Sequence, residues 1–525
     1  MVHPEPRRLG HLAAAAAATV AAAAVLTVGH LVAAVVAPSA SPFFVLGATV
    51  VDNTPKWLKD SAIRWFGAND KLALAISMGA VMVVAASLLG ELARRRVTLA
   101  AGALTALGVL VAFLAVRRPN ATFWFAVPAL AGTLAGVLAL TVLFVRFPAS
   151  PAARSARVAR TRSLSESPGG TSRRGFVLTL TGVTVGVVAA GVAGRYLATR
   201  LRDIAADRAA FVLPRVAEPA PPVSAGTDLP VQGITPFVTD ADDFYRVDTA
   251  LQLPSLTRAD WQLRIHGMVE REIRLDYDDL AAREAVDSVI TLTCVSNEVG
   301  GDLLGTARWT GYRLADLLAE ASPSADADMV LSRSIDGFTA STPLAALTDN
   351  RDALLAVAMN GAALPVRHGY PARMIVPGLY GYVSATKWVV DLEVTRFDRA
   401  EAYWTRRGWA ARAPIKTASR IDVPSAFATL PAGQVVVAGV AWAQGRGIAT
   451  VEVQVDDGPW QRATLAEAYS LDTWRQWTWH WDASPGTHSL RVRATDASGY
   501  VQTAERVPPF PDGATGLHTR VLTIR

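Results

Sequence analysis

Apolar positions follow two different rhythms along the chain. Over the first part they form long unbroken runs, at residues 11–36, 72–92, 97–116, 121–145 and 176–192. Each run is about long enough to cross a hydrocarbon layer of ~30 Å at ~1.5 Å rise per residue. Lipid offers the backbone no hydrogen-bond partners, so runs of this length are satisfied as helices. The pattern predicts an α-helical membrane region of five spans over residues 1–200, which places the two ends of that region on opposite sides. Arg7 and Arg8 precede the first span, and Arg94, Arg95 and Arg96 follow the second. Arg146, Arg154, Arg157, Arg160, Arg162, Arg173 and Arg174 lie between the fourth and fifth. Basic clusters stay on the cytoplasmic face. The smaller clusters, Arg117 and Arg118 after the third span and Arg195, Arg200 and Arg202 after the fifth, then fall outside, and so does everything that follows.

Beyond residue 200 the apolar runs shorten. Residues 201–236 are predicted as a linker, extended and semi-rigid where Pro, Ala and Val accumulate over 214–236. Residues 237–415 mix short strand-like runs (261–266, 288–293, 374–377) with short helical ones (313–320, 344–347), an α+β pattern. Residues 416–525 carry period-two segments at 435–440, 450–455 and 488–494, punctuated by Gly, Pro and Asp, and read as a small β-sandwich. The expected fold class is therefore multi-domain: membrane helices, an α+β domain and a C-terminal β-sandwich.

Composition narrows the chemistry. Of 525 residues, 51% are hydrophobic and only 18% charged, and the mean hydropathy is +0.26, too apolar for a wholly soluble chain. A formal charge of +6 and a pI near 9.6 arise mostly from Arg at the ends of apolar runs, which points to a membrane and not to nucleic acid. Cysteine occurs once, so a disulfide framework, a cysteine-built zinc site, an iron–sulfur cluster and attached c-type haem are excluded within this sequence. The span histidines His11 and His30 fall at opposite ends of one helix, so no haem site is evident and electrons must pass to a separate redox partner or a quinone. Before the fifth span, Ser172-Arg-Arg-Gly-Phe-Val177 resembles a twin-arginine export signal, which serves domains that fold around a cofactor before export; the alternative is simple anchoring by two arginines.

The lone thiol, Cys294, ends a strand-like run in Thr291-Leu-Thr-Cys-Val-Ser-Asn-Glu-Val-Gly-Gly301. Around it the chain resembles the sulfite oxidase family of molybdopterin oxidoreductases, from about residue 242 onwards. Phe244-Tyr-Arg-Val-Asp-Thr249 and Trp261 to Gly267 are similar to the family's opening strand, and Cys294 stands where the family places its molybdenum-ligating cysteine. Thr306-Ala-Arg-Trp-Thr-Gly-Tyr-Arg-Leu-Ala-Asp-Leu-Leu318, Met359-Asn-Gly361, Arg367-His-Gly-Tyr-Pro-Ala-Arg373, Val376-Pro-Gly378 and Ser384-Ala-Thr-Lys-Trp388 follow in the family's order. The resemblance implies a sulfite-oxidase-type molybdopterin domain carrying molybdenum and molybdopterin. Cys294 is then the catalytic and metal residue, and Tyr245, Arg246, His368, Arg373, Ser384, Thr386 and Lys387 are cofactor-binding. A thiolate is the soft anionic ligand such a metal needs. Lys387, with Ser384 and Thr386, would cradle the pterin phosphate.

Segments 437–442, 451–460, 474–479 and 493–499 are similar to the family's immunoglobulin-like dimerisation domain, which implies a possible homodimer. Other positions depart from the family. Its substrate-holding arginines four and five residues past the cysteine are replaced by Glu298 and Val299, its active-site tyrosine aligns with Phe338, and Val383 falls near another conserved arginine. The resulting expectation is a multi-pass cell-membrane enzyme with an extracytoplasmic catalytic domain, acting on a small-molecule oxo donor or acceptor. An S- or N-oxide reductase on the same site is the second enzymatic reading, and a non-catalytic membrane-anchored scaffold is the alternative of another class.

Overall fold

A computed structural model describes residues 10–55, 70–118, 121–145, 173–201, 203–250 and 252–525. Ser172 and the arginines at 7, 8, 146, 154, 157, 160, 162 and 202 lie outside them. The chain divides into two compact units, Met1–Ile204 with Ala250–Ser255, and Ala205–Thr249 with Leu256–Arg525.

In the first unit, among the described residues, five helices are long and apolar enough to cross a membrane: His11–Val36, Ala73–Arg95, Val97–Val116, Phe123–Phe144 and Arg174–Ala198. Small residues bring them close. Ala14, Ala17, Ala18, Ala21 and Ala24 of the first helix are buried, and a Cβ at Gly90 or Gly132 would run into the carbonyls of Ala14 or Val25. Within lipid, packing of this kind replaces the hydrophobic drive. The helix Pro42–Asn53 was not expected. At 12 residues it is too short to span, and Pro42 at its first turn gives it a pre-set start.

The second unit holds four sheets among the described residues. The first runs Val216–Glu218, Ala285–Thr293, Leu304–Arg313, Leu354–Met359, Arg373–Ile375, with Ala362–Ala363 off the path. The second runs Ile273–Asp276, Gln262–Gly267, Val389–Thr395, Met329–Ser334, Thr339–Pro343. One core spans them, with Trp261, Leu263, Ile265, Leu318, Leu355, Met374 and Val389 buried. The short helices Leu314–Ala321 and Ala345–Thr348 fall within a residue of where their apolar spacing put them.

The segment expected as a linker holds the short helix Ile204–Ala209 and several turns, and it is not free of the domain. Val216–Glu218 pairs in parallel with Ala285–Thr293, and Ala220 and Val223 pack on the core. Where such a stretch runs extended, its unpaired N–H and C=O groups can add to a sheet edge.

The last two sheets face each other. Ala418–Val423, Gly433–Trp442, Arg475–Ala483 and Thr464–Leu465 form one. Thr429–Leu430, His518–Ile524, Gly486–Asp496, Ile448–Val455 and Gln461–Arg462 form the other. Val437, Val451, Val453, Trp477, Leu490, Val492 and Ile524 fill the space between them. Alternation along Arg475–Ala483 sends Trp477, Trp479 and Trp481 inward and leaves His480 and Asp482 exposed.

Candidate active site

Cys294 follows the strand Ala285–Thr293, whose residues are buried on both faces at its C-terminal end. The Cys294 N–H donates to the Leu303 carbonyl at 2.9 Å, and its own carbonyl accepts from Asn297 N–H at 3.1 Å. Asn297 closes the loop by accepting from Leu303 N–H through Oδ1 at 2.9 Å. The thiol is buried, and burial pushes its pKa up, against smaller lowering effects of Ser296 and of the Lys387 charge.

Four charged or polar groups gather near it. Lys387 and Arg373 are bridged through their backbones. The Lys387 ammonium donates to Asp248 Oδ2 at 3.0 Å and to the Arg367 carbonyl at 3.1 Å, and burial lowers its pKa to about 8. The Arg373 guanidinium is 4% exposed. It donates to the His368 carbonyl at 3.0 Å, lies 5.1 Å from the Trp309 ring centre, and has its pKa lowered to about 10 by burial. The fully buried His368 donates to the Ala241 carbonyl through Nε2–H at 3.0 Å, and its Nδ1 has no partner among the described residues. Burial and the neighbouring Arg373 and Lys387 charges lower its pKa to about 3, so the ring is neutral at ordinary pH. Tyr245 stacks on Phe244 with ring centres 5.2 Å apart. Its hydroxyl pKa is raised by burial and by Cys294 and is partly offset by Arg373.

The structure therefore brings Cys294, Tyr245, His368, Arg373 and Lys387 into one electrostatic neighbourhood. Arg246 is exposed and reaches it at one remove, through a two-point pair with Asp248 at 2.7 and 3.2 Å. Ser384 and Thr386 have bonds of their own. The Ser384 hydroxyl donates to the Leu379 and Tyr380 carbonyls, and the Thr386 hydroxyl meets that of Ser332 at 2.7 Å. Both are buried; the Ser384 hydroxyl ties down backbone and the Thr386 hydroxyl ties down Ser332. Phe338 sits beside a hairpin turn with its ring 5.9 Å from Tyr403.

Sequence reasoning did not single out Asp248 or Trp309, although both lie inside the quoted motifs. Tyr380 and Lys416 were also missed. Tyr380 sits near enough to Cys294 for the thiolate to raise its hydroxyl pKa, which burial mainly pushes up to about 12. The Lys416 N–H donates to the Tyr380 hydroxyl at 3.4 Å.

This arrangement fits an anionic cofactor held by one thiolate. Arg373 is desolvated with carbonyls and an aromatic ring around it and no carboxylate partner among the described residues, which is costly unless an anion completes it. Among the described residues no group of three or more His, Cys, Asp or Glu could hold a metal by itself. A thiolate-bound metal here would take its other ligands from a non-protein source.

Comparison with known proteins identifies the domain and its family. The oxidoreductase molybdopterin binding domain matches residues 250–404. Mitochondrial sulfite oxidase of Rattus norvegicus is 29% identical over 303 residues, 48% of this chain and 55% of that protein. The uncharacterized oxidoreductase YuiH of Bacillus subtilis is 30% identical over 152 residues, 29% of this chain and 73% of that protein. The chain belongs to the sulfite oxidase family of molybdopterin oxidoreductases. As a family member it is an oxidoreductase whose cofactor is molybdopterin with molybdenum. It spans about half the length of the mammalian sulfite oxidases it matches. Among solved structures, the sulfane dehydrogenase SoxCD from Paracoccus pantotrophus is 22% identical with a TM-score of 0.49, covering 56% of this chain and 84% of that one.

Lys387 provides a pH test of the cofactor-free site. Its folded pKa of about 8 lies below the ordinary lysine value of roughly 10.4. Between these two values the unfolded chain keeps a proton that the folded chain has released, so stability rises with pH across the window. Below about pH 8 the buried ammonium destabilises the fold, by on the order of 3 kcal/mol relative to the neutral amine. Thermal melts of cofactor-free protein should show Tm rising from pH 8 to 10, and Lys387→Met should flatten that rise.

Proposed function

We propose that this family member is a membrane-anchored, extracytoplasmic enzyme, with residues 237–415 as its molybdopterin domain and 416–525 as an immunoglobulin-like dimerisation domain. Cys294 ligates the metal; Tyr245, His368, Arg373 and Lys387 hold the pterin and its phosphate; Arg246 acts through Asp248. When bound, the cofactor supplies two-electron oxo transfer, whereby a substrate gains oxygen from water with release of two electrons and two protons, or the reverse. The chain's residues supply a buried thiolate, fixed positive charge and a cleft from which bulk water is displaced. Electrons pass to a separate redox partner or to a quinone at the helices.

The observation that carries this reading is the pair of desolvated cations, Arg373 and Lys387, beside the lone thiol of Cys294. Metal analysis of purified protein, expected to give about one molybdenum per chain, together with substrate-dependent electron flow to an artificial carrier, tests it. Protein free of molybdenum when expressed in a host that makes the cofactor would support the scaffold reading. An S- or N-oxide reductase is the second enzymatic reading, favoured by Glu298 and Val299 in the loop after Cys294, where the family resemblance places arginines.

Export gives a further prediction. Arg173 and Arg174 begin the helix Arg173–Leu201. Replacing both with Lys keeps the charge, so positive-inside anchoring survives while a twin-arginine signal is lost. The double variant should leave residues 205–525 protected from externally added protease in intact cells, whereas the same residues of the parent protein are cleaved. Equal cleavage of both would mean that the arginines only anchor.

A further inference from the structure

The strand Ala285–Thr293 delivers Cys294, and its two edges are satisfied in different ways. One edge pairs with Leu304–Arg313 from Val286 to Thr293. On the other, Val216–Glu218 covers only Ala285 and Val286. Nearer the thiol that second edge has no strand beside it among the described residues, and the sandwich supplies its partners one group at a time. Thr291 N–H donates to the Asp472 carbonyl at 3.0 Å, and the Thr291 hydroxyl accepts from Trp474 N–H at 2.8 Å. The Thr291 carbonyl accepts from Gln444 Nε2 at 3.3 Å, and the same nitrogen donates to the Thr293 hydroxyl at 3.2 Å. Through Thr293 the Gln444 amide reaches the residue next to the thiol.

Gln444 is 1% exposed and firmly held. It sits in the turn after Gly433–Trp442, where Gly445 N–H donates to the Leu471 carbonyl at 2.9 Å. Arg446 and Gly447 N–H donate to the Ala443 carbonyl at 2.9 and 2.8 Å, and the Arg446 side chain ties the turn to Asp496 Oδ2 at 2.9 Å. The amide is also oriented. A carbonyl only accepts, so Nε2 must face Thr291, and Oε1 is left buried without a partner among the described residues. Completing the strand edge takes precedence here over satisfying the amide. We infer that Gln444 is a positioning residue for the Cys294 thiol, through which the sandwich fixes the direction in which the strand end presents its sulfur. The inference rests on the reading of Cys294 as the metal ligand and gives the sandwich a part in that site. Groups behind a metal's ligands orient them, and Gln444 does so through the strand that carries the sulfur.

The test compares two variants of the full detergent-solubilised chain. Gln444→Met keeps the length of the side chain and loses the donor. Leu490→Ala opens a cavity in the sandwich core, which is separate from the core behind the strand, and so lowers Tm without removing a bond to Thr291 or Thr293. In cofactor-free protein the sole thiol is alkylated with N-ethylmaleimide and counted by mass. Gln444→Met should raise the alkylation rate about tenfold, the factor that one hydrogen bond's net contribution corresponds to, while Leu490→Ala stays near the parent rate although its Tm falls further. In reduced, molybdenum-loaded protein the electron paramagnetic resonance g values should shift in Gln444→Met and stay at parent values in Leu490→Ala. Gln444→Glu, which sets an acceptor against the Thr291 carbonyl, should shift them at least as far. Unmoved g values in Gln444→Met, or equal changes in Leu490→Ala, would overturn the inference. A parent protein that takes up no molybdenum removes the metal reading instead; the alkylation rates then decide alone, and a parent-like rate in Gln444→Met ends the positioning role.

Discussion

Replacing Cys294 with serine should strip the protein of molybdenum and abolish turnover while leaving the fold intact. Serine is nearly isosteric, and the loop that holds this position is closed by backbone and Asn297 bonds that do not involve the side chain. A hydroxyl is a harder and far more basic ligand than a thiolate, and no second cysteine exists to take its place. The loss of bound metal should exceed the roughly 10–100-fold effect that removing an outer-shell group commonly has. Metal analysis and near-ultraviolet circular dichroism on the same preparation decide the matter: full molybdenum with full activity would end the role assigned to Cys294.

The second large effect is expected at Arg373, where stability and cofactor retention should move apart. In the cofactor-free fold its guanidinium is desolvated without a carboxylate partner among the described residues, so Arg373→Met should leave Tm unchanged or raise it. The same change removes a fixed cation from beside Lys387 and His368, and bound molybdenum and pterin should fall by about 10–100-fold, the range found when supporting groups of metal sites are lost. A lower Tm with undiminished metal would show that Arg373 serves packing alone, through Trp309.

What was legible in the sequence follows from where the determining physics is local. Long apolar runs specify helices by themselves, so the five candidate spans were found to within a few residues. Only the fifth is much longer than its apolar run, since Arg173–Leu201 continues through residues with good helix propensity. Alternation located the strands Gly433–Trp442, Ile448–Val455 and Gly486–Asp496. The helix Pro42–Asn53 and the pairing of Val216–Glu218 were not readable, because both depend on distant neighbours. In the site, Cys294 stood out as a single residue type at a strand end. The partnership of Asp248 with Lys387 joins positions 139 apart, and no spacing rule connects them. Nor does any spacing rule show that the hydroxyls of Ser384 and Thr386 meet Leu379, Tyr380 and Ser332.

The wall around the thiol loop is built from residues made much later than the loop itself. Gly300 has φ of +81°, and a Cβ there would strike the ring of His518. Burial, with Arg520 and Arg420 nearby, lowers the His518 pKa to about 4, which keeps its Nδ1 free to accept from Ile421 N–H at 3.0 Å. Arg420 reaches the Gly301 carbonyl at 2.7 Å, and Trp474 N–H donates to the Thr291 hydroxyl across 183 positions. A ribosome working at roughly 5–20 residues per second leaves Cys294 waiting for on the order of tens of seconds before these groups emerge. During that interval the cleft lacks its far side. The thiol loop therefore reaches its final surroundings only once residues as late as His518 have packed against it.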